Sequence, residues 1–115
     1  MVDARYIQER TSGIGRYTQR MLEALIGIDL SLHLTLITHP TRPKPLGESE
    51  RLRYQTYPAP PNSLRTRRAL TRHARFDGVD LFHSPFNILP GDLPVPSVFT
   101  LHDIMWLLDP SYCTD

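Results

Sequence analysis

Thr11-Ser12-Gly13-Ile14-Gly15-Arg16-Tyr17 sets two glycines two residues apart, where a short extended stub gives way to a helical repeat. Glycine has no Cβ, so backbone N–H groups at such a bend can approach an anion at the positive end of a helix dipole, and a diphosphate is a natural guest. A tight strand-to-helix turn with no ligand accounts for the same residues. A dinucleotide fingerprint is disfavoured: Thr18 stands where its third glycine would fall, and Thr38-His39-Pro40 occupies the place of the acidic residue that binds a ribose.

Two further constellations lie far downstream. Thr100-Leu101-His102-Asp103 puts an imidazole and a carboxylate at the end of an apolar run. A neutral histidine there can hydrogen-bond sugar hydroxyls, while Asp103 either caps the segment Ile104 to Leu108 or orients the ring. The plain alternative is a satisfied structural histidine beside a helix cap. DLFHSPFN, residues 80–87, likewise leaves an apolar run with His83, Ser84 and Asn87 near one edge, a polar set suited to acceptor hydroxyls. Pro85 stiffens that exit, and a proline turn satisfying its own backbone explains it equally well.

Other chemistries find less support. Five histidines and the lone Cys113 show no paired ligand spacing, and there is no Asp-x-Asp pair to hold a divalent ion on a nucleotide diphosphate. No metal site and no resident cofactor are expected. Gly-x-Ser-x-Gly, the nucleophile elbow of serine hydrolases, does not occur. Five arginines between Arg65 and Arg75 make a basic helix over residues 64–75 that could meet an anionic membrane or a phosphorylated lipid acceptor. A solvated charged face is the plainer reading. A net charge of +1, with no aromatic residues among the arginines, argues against nucleic acid.

These residues need elements to position them. Ile14, Tyr17, Met21, Leu22, Leu25 and Ile28 recur at three and four residues, which predicts a helix over 14–27 with Ser12 as its N-cap. His33 to Thr38 reads as a strand stopped by Pro40, and Leu52 to Tyr57 as a short second one. SLRTRRALTRHARF predicts another helix from Asn62 or Ser63, with Leu64, Ala69, Leu70 and Ala74 facing a core. Asp80 to His83 and Ser97 to Leu101 both read as central strands. Most of the eleven prolines cluster at residues 40–61 and 85–96, where they mark loops. The alternation implies an α/β fold: an open, mostly parallel, Rossmann-like sheet with helices on both faces. Ligands then bind outside the carboxyl ends of the strands, which singles out the loops at 10–16, 83–90 and 102–106.

At 115 residues, 40% hydrophobic and 22% charged, the chain has the make-up of one small domain. A single cysteine excludes an intramolecular disulfide. No run approaches the roughly 18 to 20 apolar residues of a membrane span, and MVDARYIQER lacks a signal-peptide core, so a cytoplasmic location is expected, with peripheral contact at the inner face of a membrane.

VDARYIQERTSGIGRYTQRMLEAL at the start, with DLFHSPFNILP and PSVFTLHDIMWLLDP at the end, resembles the N-terminal domain of retaining GT-B glycosyltransferases, the group-1 family that includes many mannosyltransferases. Residues 39–76 match only in general pattern. The resemblance implies that Gly13, Ile14 and Gly15 lie against the donor diphosphate, Arg16 and Tyr17 near the acceptor, and His102, as the catalytic residue, beside the transferred sugar. It implies a nucleotide-sugar donor and a glycan or lipid-linked acceptor. It also implies that residues 1–115 are part of an acceptor-side domain, lacking the C-terminal donor-binding domain and so inactive alone. A noncatalytic Rossmann-like binding or partner module is the competing expectation, and a fragment of a nucleotide-dependent oxidoreductase a third.

Overall fold

The computed structural model describes residues 1–10, 12–109 and 111; Thr11 of the glycine bend and Cys113 lie outside them. Five strands, β1 (Val2–Asp3), β2 (Leu34–Thr38), β3 (Leu52–Thr56), β4 (Phe82–Ser84) and β5 (Ser97–Phe99), form one sheet in the order β3-β2-β1-β4-β5. Every neighbouring pair is parallel. Helix α1 (Gly13–Ile28) joins β1 to β2, α2 (Leu64–His73) joins β3 to β4, and the short α3 (Met105–Leu108) follows β5. The chain is thus an α/β protein with an open Rossmann-like sheet, as its alternation of patterns implies.

Strand periodicity divides the core in two. Val2 pairs with Leu36 and Asp3 with Ile37, so successive residues of β1 and β2 face opposite sides. On one side Val2, Leu34 and Leu36 pack with Leu22 of α1; on the other Met1, Ile37 and Phe82 pack with Leu70 of α2. Helices α1 and α2 each start at a serine cap: Ser12 Oγ accepts from the Gly15 N–H and Ser63 Oγ from the Thr66 N–H. Such a cap contributes about 1 kcal/mol by satisfying a donor that the helix leaves orphaned.

Three expectations are corrected. Helix α1 is rotated from its predicted stripe: Gly15, Thr18 and Leu22 are buried, whereas Tyr17 is exposed and Ile28 is 80% exposed. Small residues win the inward face because the helix passes close to the Tyr6 backbone, and Thr18 Oγ1 donates to the Ile14 carbonyl, which satisfies the buried hydroxyl. Helix α2 likewise buries Thr66 and Leu70 while Leu64 stays 62% exposed. Finally, β5 is an edge strand rather than a central one, with Val98 40% and Phe99 50% exposed. Its composition reads as core because apolar content reports strand propensity, not position in the sheet.

The most constrained contact lies at the end of β1. Arg5, fully buried, forks onto Asp3: Nε donates to Oδ1 at 2.9 Å and Nη2 to Oδ2 at 2.6 Å. Its Nη1 donates to the Ala59 carbonyl at 2.6 Å and to Thr66 Oγ1 at 2.9 Å, and the guanidinium lies 5.2 Å from the centre of the Tyr57 ring. One side chain therefore ties the exit of β1 to the loop after β3 and to the first turn of α2. Removing one partner of such a pair strands the other charge out of water. Asp3→Asn is expected to lower unfolding free energy by about 3 to 5 kcal/mol in chemical denaturation, against little change for the exposed Glu23→Gln.

Candidate functional site

The sheet reverses direction between β1 and β4. Chain growth runs outward from β1 to β2 and β3, then returns to lay β4 and β5 on the other side of β1. Loops leaving β1 and β4 must diverge there, and the gap outside their carboxyl ends is the switch-point crevice where open α/β sheets bind ligands. Residues 4–12 leave β1, residues 85–96 leave β4, and residues 100–104 leave β5.

The first turn of α1 closes on the exits of β4 and β5. The Tyr17 ring stands edge-on to the His102 ring, 4.9 Å between centres. Tyr17 Oη lies 3.2 Å from Thr100 Oγ1, which lies 3.0 Å from His83 Nε2. Thr100 has one proton, so the chain runs either from Tyr17 through Thr100 to a His83 acceptor or the reverse way. Burial, and then the positive amino terminus, hold the His83 imidazole below its ordinary range, which favours the neutral ring. His102 Nε2 lies 2.8 Å from the Pro85 carbonyl. A carbonyl only accepts, so the Nε2–H donates, and in the neutral ring Nδ1 is left as the acceptor. Tyr6 supports the β4 exit from below, its ring 5.7 Å from that of Phe86. Burial, followed by the nearby Asp3 charge, raises the Tyr6 phenol and keeps it protonated.

Not every predicted site residue meets in this crevice. Gly13 opens α1 with nothing within 4 Å of where a Cβ would stand, so its backbone is approachable. The Gly13 and Ile14 amides have no intrahelical acceptor, whereas Gly15 donates to Ser12 Oγ and Arg16 to the Ser12 carbonyl. Gly15 faces inward: a Cβ would stand 2.3 Å from the Tyr6 carbonyl oxygen. Close packing explains that glycine without any ligand. Arg16 and Asn87 are exposed, as is Asp103, which stands two residues before α3. Ser84 is buried, and its hydroxyl reaches the Phe86 and Ile88 carbonyls at 2.9 and 2.7 Å, so its proton holds the loop.

Sequence reasoning overlooked Thr100 as the joint between Tyr17 and His83, and Asp3 and Arg5 as the anchor beneath. The last two left a signal, opposite charges two residues apart inside an otherwise apolar stub. Among the described residues no group of three or more histidine, cysteine, aspartate or glutamate side chains is placed to hold a metal ion. An apolar hollow of about 280 Å³, lined by residues including Met1, Leu25, Leu32, Val79 and Leu81, lies at the other end of the strands. No family model, curated protein or solved structure matches the chain.

The two glycines are separable. Gly15→Ala drives a methyl group into backbone and is expected to destabilise the fold by about 2 kcal/mol or more. Gly13→Ala meets no atom and is expected to leave stability unchanged or raise it by up to about 1 kcal/mol; parallel thermal and urea unfolding of the two variants checks both.

Proposed function

We propose that the chain is the acceptor-side, Rossmann-like part of a glycosyltransferase that moves a sugar from a nucleotide-sugar to a glycan or lipid-linked acceptor. One observation carries this reading: the start of α1 and His102, eighty-odd residues apart in sequence, face each other across the switch-point crevice through the Tyr17–His102 contact of 4.9 Å. The Gly13 and Ile14 amides, without an acceptor among the described residues, supply positive potential for a departing diphosphate. His102, fixed by the Pro85 carbonyl, offers Nδ1 to a sugar hydroxyl. Tyr17 forms the wall between them, held upright by Thr100.

Stabilising a leaving diphosphate as an acceptor hydroxyl attacks calls for binding groups on both sides of the donor. On this reading residues 1–115 supply the groups on one side and bind donor or acceptor weakly. A noncatalytic binding module of the same fold is favoured by two details: the Tyr6 carbonyl already accounts for Gly15, and the Ser84 proton already serves its own loop.

Amide-resolved NMR titration separates these readings. GDP-mannose or UDP-glucose is expected to shift the Gly13, Ile14, Tyr17 and His102 resonances at millimolar concentration, inorganic pyrophosphate only the first two. His102→Ala is expected to weaken the response to the nucleotide-sugars several-fold while leaving that to pyrophosphate intact. Shifts confined to other parts of the chain, or none with any of the three, would remove the assignment.

A further inference from the structure

Helix α2 is electrostatically costly as it stands. Arg65, Arg68 and Arg72 recur at intervals of three and four residues, which stacks them on the side away from the buried Thr66 and Leu70. Arg67 adds a fourth charge nearby, and Arg75 follows the C-cap Ala74. Like charges at these spacings repel, and those of the first turns also oppose the positive end of the helix dipole, where no acidic residue stands. Two exposed cations elsewhere pair with carboxylates, Arg20 with Glu23 and Lys44 with Glu48. Among the described residues none of the α2 arginines makes an ion pair.

Leu64 lies among these arginines with 62% of its surface exposed. An apolar side chain amid cations suits a surface that presents anionic groups above a hydrocarbon layer. Nucleic acid would be served by aromatic residues for base stacking, and the exposed face of α2 has none. The helix begins at the exit of β3, so its basic first turns and the crevice share one end of the parallel sheet.

We infer that the exposed face of α2 docks on an anionic lipid surface, with Arg65, Arg68 and Arg72 facing the headgroups and Leu64 entering the interface. The inference does not rest on sugar chemistry, so it can fail while the crevice assignment survives, and the reverse.

The full chain is sedimented with vesicles of phosphatidylcholine alone and with about one-third phosphatidylglycerol. Binding is expected only with the anionic lipid and to fall steeply with salt. The triple variant R65Q/R68Q/R72Q is expected to lose affinity roughly a hundredfold, at about fivefold per arginine, with its thermal midpoint unchanged or raised because the removed charges repel one another. Leu64→Ser is expected to weaken vesicle binding several-fold without affecting association with duplex DNA. Equal binding to neutral and anionic vesicles, triple-variant affinity equal to the parent, or DNA binding tighter than vesicle binding would each overturn the inference.

Discussion

A charged pair buried at the end of a two-residue strand governs the rest of this fold. β1 is too short to hold its place by backbone pairing alone, with Val2 and Asp3 matched to β2 and Val2 to β4. The fork of Arg5 on Asp3, extended to Ala59 and Thr66, adds the anchoring that length does not supply. Such a pair contributes modest net stability against an apolar replacement, because desolvating two charges offsets most of their attraction. Its directional value is greater: five guanidinium donors accept few alternative arrangements, so the three segments that meet on Arg5 have one relative geometry.

From that anchor the chain turns sharply toward α1. The carbonyl of Tyr6 presses so close to the helix that only glycine fits at position 15, and this contact sets the direction in which the helix leaves. Tyr17, one turn in, then meets the exits of β4 and β5. Nothing in that meeting is a strong interaction by itself. A phenol, a threonine hydroxyl and two imidazoles form a chain of neutral hydrogen bonds and ring contacts, each worth about 1 kcal/mol. Their functional interest is that they combine donors and acceptors whose polarity is adjustable, beside the first amides of α1.

Local chemistry was legible in the sequence and three-dimensional placement was less so. Ser12 announced one cap and Asn62 or Ser63 the other, which is Ser63, and the elements fall within two or three residues of their predicted limits, because capping and periodicity act over a single turn. The parallel sheet followed from alternation. Rotation of α1 did not, since Gly15 and Thr18 look indifferent in sequence and gain their inward position only through Tyr6 and Ile14. Thr66 was overlooked for a related reason: its burial depends on Arg5, sixty-one residues away. β5 looked central because Ser97 to Leu101 is apolar, yet its outer edge is unpaired in the sheet. Of the candidate site, His102 and Tyr17 were visible as residue types, whereas Thr100 gains meaning only from lying between Tyr17 and His83.

Ring-to-ring cross-relaxation in solution tests the shared crevice most directly. With centres 4.9 Å apart, the aromatic protons of Tyr17 and His102 must give a clear nuclear Overhauser effect in the intact chain. A spectrum that retains the contacts between β1 and its neighbours β2 and β4 but lacks any Tyr17–His102 cross-peak would contradict the convergence of α1 with the β5 exit.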